Sequence, residues 1–270
     1  MMNVRSPAVA GSFYPADPKR LQEMVAGFLA TAVSPTSAIP KAIIAPHAGY
    51  MYSGPIAGSA YACVAALAGK VERVVLLGPA HTMALRGLAT TSAAAFGTPL
   101  GDVMIDHEAL KQARLLPQVQ VLDAAHLREH CLEVHLPFLQ MTVGDFKLAP
   151  FVVGQVRPED VAEVIEMLWG GAETLVVISS DLSHFLDYES ARRVDAAAAR
   201  AIEHLQPTAL EQDQACGRRA IQGLLLAARK HNLMVTTLDL RNSGDTAGSK
   251  YRVVGYGAWA FAEKQPTANG

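Results

Sequence analysis

Four short stretches constrain the fold of this 270-residue chain more than anything else in it. They are Ala42–Ala45, 73–77, 148–153 and 175–178, apolar runs rich in β-branched residues in which polar and apolar positions do not alternate. A strand with one wetted face alternates with a period of two, so an unbroken run belongs to a strand covered on both faces. The cover is written between the runs. Asp17 followed by Pro18 reads as an N-cap and first helical residue, and Leu21, Met24, Val25, Phe28 and Leu29 then fall on one helical stripe. Pro158 opens a second such helix with Val161, Val164, Ile165 and Leu168 on its face, and helical patterns also cover 55–67, 188–205 and 217–230. Further strands are expected at 234–240 and at 253–261, the latter as an antiparallel edge because it alternates Val, Gly and aromatic residues. Helices alternating with buried strands predict an α/β protein, a three-layer α/β/α sandwich around a mostly parallel or mixed central sheet.

No internal repeat, low-complexity tract or linker divides the chain, so residues 1–262 are expected to form a single domain, with 263–270 as a frayed polar tail. The charge balance argues against two classes of partner. With 23 Lys and Arg against 25 Asp and Glu, and no dense basic run, the chain lacks the clustered positive charge that nucleic acid or an anionic membrane requires. No run of 18 apolar residues could span a bilayer. Three widely spaced cysteines, Cys63, Cys131 and Cys216, suit a reducing compartment, and the expected location is the cytoplasm.

Three predicted strands run into polar segments that each carry a histidine: Pro46-His47-Ala48-Gly49-Tyr50, Pro79-Ala80-His81-Thr82 and Asp181-Leu182-Ser183-His184. In open α/β sheets the carboxyl edge is where ligands bind. Imidazole is both the commonest metal ligand and a proton carrier near neutral pH, so two of these histidines could hold a metal while the third moves protons. Candidates for a third ligand are Asp181, the Glu129, His130, Glu133 and His135 group, and Cys216, which stands before a predicted helix whose free amides favour a thiolate. The segment His126-Leu-Arg-Glu129-His130 also fits the H-x-x-E-H pattern of inverted zinc proteases, a minor alternative in which His126 and His130 would bind zinc. A dinucleotide fingerprint, a P-loop, a G-x-S-x-G elbow and a C-x-x-C pair are all missing.

At these segments the chain resembles the Memo proteins, prokaryotic members of which occur with AMMECR-type and radical-SAM proteins, and which are related to the class III extradiol dioxygenases of the LigB type. The resemblance runs through Ser6-Pro-Ala-Val-Ala-Gly-Ser-Phe-Tyr-Pro15, Ile43-Ile-Ala-Pro-His-Ala-Gly-Tyr50, Leu77-Gly-Pro-Ala-His81, Glu129-His-Cys-Leu-Glu-Val-His-Leu-Pro137, Ser179-Ser-Asp-Leu-Ser-His184 and Cys216-Gly-Arg218. It implies a LigB-like fold, a metal held by His47, His81 and Cys216, an acid/base histidine at His184 with Asp181 beside it, and a pocket lined or supported by Phe13, Tyr50, Glu129 and His130. It also implies oxidoreductase chemistry with Fe(II) on a small, aromatic type of substrate, and AMMECR-type and radical-SAM proteins as partners in a shared pathway. Cys216 stands where the ring-cleaving relatives carry a carboxylate, and a thiolate accepts Cu or Zn as readily as iron. The rival expectation is a non-catalytic metal- or peptide-binding module that keeps a vestigial dioxygenase pocket.

Overall fold

A computed structural model describes residues 2–32 and 38–264. Strand β1 (Val4–Arg5) leads to helix α1 (Pro18–Thr31), then β2 (Ala42–Ala45), α2 (Tyr50–Val64) and β3 (Arg73–Pro79). The middle of the chain holds β4 (Leu88–Thr90), β5 (Ala95–Thr98), β6 (Gly101–Met104), α3 (His107–Ala113), β7 (Val119–Val121), α4 (Ala124–Leu127), α5 (Leu136–Thr142) and β8 (Lys147–Val153). It closes with α6 (Pro158–Met167), β9 (Thr174–Ser179), β10 (His184–Leu186), α7 (Tyr188–Glu203), α8 (Arg218–Lys230), β11 (Leu233–Asn242) and β12 (Val253–Glu263).

Among the described residues, nine strands form one mixed sheet in the order β10-β12-β2-β9-β3-β8-β4-β7, with β11 on the far side of β12. Its centre, β2-β9-β3-β8, is parallel, and these are the four unbroken apolar runs. Every residue of β2 and β9 is buried, as strands covered on both faces must be. Helices α1, α2 and α5 pack together against one side, while α8 packs on β3 and β9 with α6 packed on it, and α7 lies on β11 and β12. The result is a three-layer α/β sandwich. A small sheet, β1-β5-β6, sits beside it.

Two boundaries differ from expectation. Helix α2 starts at Tyr50, not Pro55, because the Tyr50 amide is taken by the Phe13 carbonyl (2.8 Å) and Gly49 caps the helix. Strand β12 is antiparallel but not an edge: β2 pairs with one side of it and β11 with the other. Its glycines reflect crowding, since a Cβ on Gly257 would lie 2.0 Å from the indole of Trp259. The strand runs through Glu263, which pairs with Leu233, so order extends past the expected domain end at 262. Of the expected frayed tail, residues 265–270 lie outside the described residues.

Candidate metal centre

Parallel pairing brings the carboxyl ends of β2, β9 and β3 to one edge of the sheet, and each strand delivers a polar residue there: His47 after β2, Asp181 after β9, His81 after β3. The fourth contribution comes from the start of α8. The Cys216 amide donates to the Asp181 carbonyl (3.3 Å) and the Gly217 amide to Ser180 Oγ (2.9 Å). A Cβ on Gly217 would lie 2.6 Å from the Ser179 carbonyl oxygen, so only glycine lets the helix start press this closely on β9.

At this edge His47, His81 and Cys216 place one ligand atom each within 4.8 Å of one another. Cys216 Sγ lies 3.3 Å from His47 Nε2, and two donors sharing an ion at about 2.0–2.3 Å stand about 3–3.6 Å apart. The tautomers are set from outside. Ser179 Oγ gives its hydrogen to the Cys131 carbonyl (2.6 Å) and so can only accept from His47 Nδ1 (2.7 Å), which leaves the His47 Nε2 lone pair free. Glu129 does the same for His81, accepting from Nδ1 at 2.9 Å and from the backbone amide at 2.7 Å. A second cluster, His81, Glu129 and His130, has equally compact donors, but Glu129 is already engaged in orienting His81.

Burial governs the charges. It holds His47 neutral, well below the ordinary imidazole range, with the neighbouring histidines adding to the effect. Asp181 is raised to about 6 by burial, against the opposing pull of the His47 amide on its Oδ1 (2.8 Å) and of nearby His184. Glu129 also feels burial, but its bonds from His81 and from backbone amides outweigh this and bring it down to about 2. The expected thiolate at Cys216 does not form from helix geometry alone: burial first, then the charge of Asp181, push the thiol up to about 12. A cation is what would reverse that balance, because coordination requires the thiolate.

The remaining residues sort by position. Phe13 packs on the His130 ring at 4.8 Å, and His130 stacks on His81 at 4.7 Å, so both line the centre. Tyr50 lies beneath it, buried among Tyr14, Phe28 and Phe138 with its hydroxyl donated to the Val134 carbonyl (2.7 Å); it supports the crevice and does not face it. His184 is exposed beside Asp181, and its Nδ1 donates to the Leu182 carbonyl (2.8 Å), leaving Nε2 as the basic nitrogen. Glu133, one of the candidate third ligands, joins no donor cluster among the described residues and instead clasps the N-terminal segment: it accepts from the amides of Ala8 and Val9, from Tyr14 Oη (2.6 Å) and from Arg5. That clasp positions Phe13, and neither spacing nor composition announced it.

The inverted-protease geometry is absent. His126 lies within α4, one turn long, and its Nε2 donates to the Ala89 carbonyl (3.1 Å) with its ring against Phe96. It shares no donor cluster with His130 among the described residues, because the helix breaks at Arg128 instead of carrying both histidines on one face.

Comparison with known proteins agrees with the motifs. The profile of the Memo-like protein family matches residues 5–260. A MEMO1 family protein of Sulfolobus acidocaldarius is 36% identical over 96% of this chain and 100% of its own length. Another, from Aquifex aeolicus, is 38% identical over 94% and 98% respectively. An uncharacterized protein of Escherichia coli K12 superposes with a TM-score of 0.48 at 12% identity, over 80% of this chain and 98% of that one, too weak a likeness to carry an argument. With a family profile spanning all but the ends and relatives matched end to end, the chain belongs to the Memo-like family.

Proposed function

We propose that this protein is a mononuclear metal protein in which His47, His81 and Cys216 hold one ion, Fe(II) by preference, and that it carries out oxidative chemistry on a small organic substrate. The observation that supports this most is the convergence of the two free Nε2 atoms and the Cys216 sulfur, with both histidines fixed by hydrogen bonds from behind. Bound iron would supply the redox couple and the Lewis acidity that the side chains lack.

The chain's own residues would do the rest. Ser179 and Glu129 orient the two imidazoles through Nδ1, so that Nε2 is the nitrogen each turns toward the ion, and burial keeps His47 neutral. His184, with Nε2 open at the crevice, takes a proton from a bound substrate and returns it to the product. Asp181 acts through others, holding the His47 backbone, while Asp195 holds the Ser183 amide in the turn that carries His184. Phe13 and His130 cover the site and exclude water from one side.

Anaerobic purification followed by metal analysis and oxygen-uptake assays on a panel of small aromatic substrates tests this reading. One iron per chain and substrate-dependent oxygen uptake are expected. Replacing His81 with Ala should abolish both. His184→Ala should keep metal affinity within a few-fold while lowering turnover by about 10²–10⁴, the worth of a positioned acid/base group. Tight metal binding without oxygen uptake on any substrate would favour the interaction module instead, and a preparation holding zinc or copper alone would overturn the assignment of iron.

A further inference from the structure

Beside Cys216, outside the ligand cluster, lies a cavity of about 410 Å³, within the usual range for small-molecule sites. Cys216 itself lines it, so whatever fills it lies next to the proposed ion. Its composition is one-sided. Met83, Leu85 and Val153 give it apolar walls, Arg86 and Arg219 give it two guanidinium groups, and among the described residues no Asp or Glu lines it. In a chain with net charge −2, two arginines without a carboxylate between them are a departure from the general balance.

Neither arginine is consumed by the fold. Arg219 donates Nε to the Val156 carbonyl (3.0 Å) and one Nη2 hydrogen to Gln155 Oε1 (2.5 Å), neutral acceptors that aim the guanidinium while leaving Nη1 without a partner among the described residues. Burial and the adjacent charge of Arg218 both work against its cationic form, an imbalance that an anion would relieve. Arg86 is exposed at the rim, and its side chain makes no hydrogen bond or ion pair among the described residues. Its backbone is fixed by a bridge to Gln155, the residue that also orients Arg219, so the two cations share one support.

We propose that this cavity is the substrate pocket and that it selects an organic carboxylate with an apolar, ring-sized body, the carboxylate held by Arg86 and Arg219 and the body lying against Met83, Leu85 and Val153 beside Cys216. Guanidinium groups pair with carboxylates through parallel hydrogen bonds, which fix orientation as well as charge. The proposal rests on the reading of His47, His81 and Cys216 as a metal centre for its role as substrate pocket, but anion binding itself does not require the metal.

Calorimetric titration of the whole chain, metal-loaded and metal-stripped, with benzoate, benzamide and inorganic phosphate tests it. Benzoate should bind at least about tenfold more tightly than the other two in both forms, and Arg86→Met should weaken it by about tenfold or more. Because the Arg86 side chain supports nothing else, that variant should keep the wild-type melting temperature. Arg219→Lys, which retains the charge but not the fork, should lose part of the affinity. Equal benzoate affinity in wild type and Arg86→Met, or benzamide binding as tightly as benzoate, would overturn the proposal and leave the metal reading standing. Phosphate binding as tightly as benzoate would overturn the apolar half of the selection. Benzoate binding that depends on Arg86 in a protein that takes up no metal would end the metal reading and keep the anion site.

Discussion

Glu129 accepts four hydrogen bonds, from the amides of His81, His130 and Cys131 and from His81 Nδ1, so one carboxylate fixes both the backbone and the ring of a candidate ligand. An amide in its place would turn hydrogens toward donors that already point at it. Glu129→Gln should therefore weaken metal binding by about 10–100-fold, the usual worth of a partner behind a ligand, with little change in the circular dichroism spectrum. Competition against a chromophoric chelator measures it, and an unchanged affinity would mean that His81 is oriented by something else. His47 and His81 stood out as strand-end histidines and Cys216 as a helix-start thiol because strand ends and a helix start are visible in the pattern, but the choice of Cys216 among the candidate third ligands came from the resemblance to the Memo proteins. The pattern could not show Ser179 as the partner of His47, since a serine ending a buried strand has the same signature whether its hydroxyl is idle or sets a tautomer. Tyr50 shows the opposite limit: adjacency to His47 in sequence did not tell that α2 turns its ring into the core.

Among the elements, the N-terminal segment is the least expected. It has little regular structure of its own, and Glu133, fully buried, anchors it through Arg5, Tyr14 and two backbone amides. Arg5 in turn donates to the carbonyls of His126 (3.0 Å) and Glu129 (2.6 Å), tying the segment to the stretch that carries the site. Removing one member of a buried ion pair strands the other, so Glu133→Ala should cost about 3–5 kcal/mol in urea unfolding, and Arg5→Met combined with Glu133→Leu should recover part of that. A cost below about 1 kcal/mol would show that the clasp is ornamental to stability. The parallel strands and their covering helices were legible because burial on both faces leaves unbroken apolar runs. Strands β4 to β7, three or four residues each, were not, since so short a segment carries no period to read.

For the whole molecule, acid is the condition that most tests this fold. His126 and His135 are buried and neutral, and burial holds them down to about 4 and about 3. The unfolded chain binds those protons near pH 6.5, so their contribution to stability is complete above that pH and is lost as pH falls toward the folded values. For His126 alone the loss is on the order of 3 kcal/mol. Melting temperature should drop steeply between pH 6.5 and 4, and His135→Gln should flatten that slope; a profile unchanged by the substitution would place the acid sensitivity elsewhere. The same buried edge has a consequence for how the protein is made. His47 and Cys216 touch across 169 positions of chain. A ribosome therefore releases both histidines long before the sulfur that meets them, and a nascent chain that ends before Cys216 holds only two of the three candidate donors. If the proposed ion needs all three donors, it would be held at full strength only once synthesis has passed Cys216.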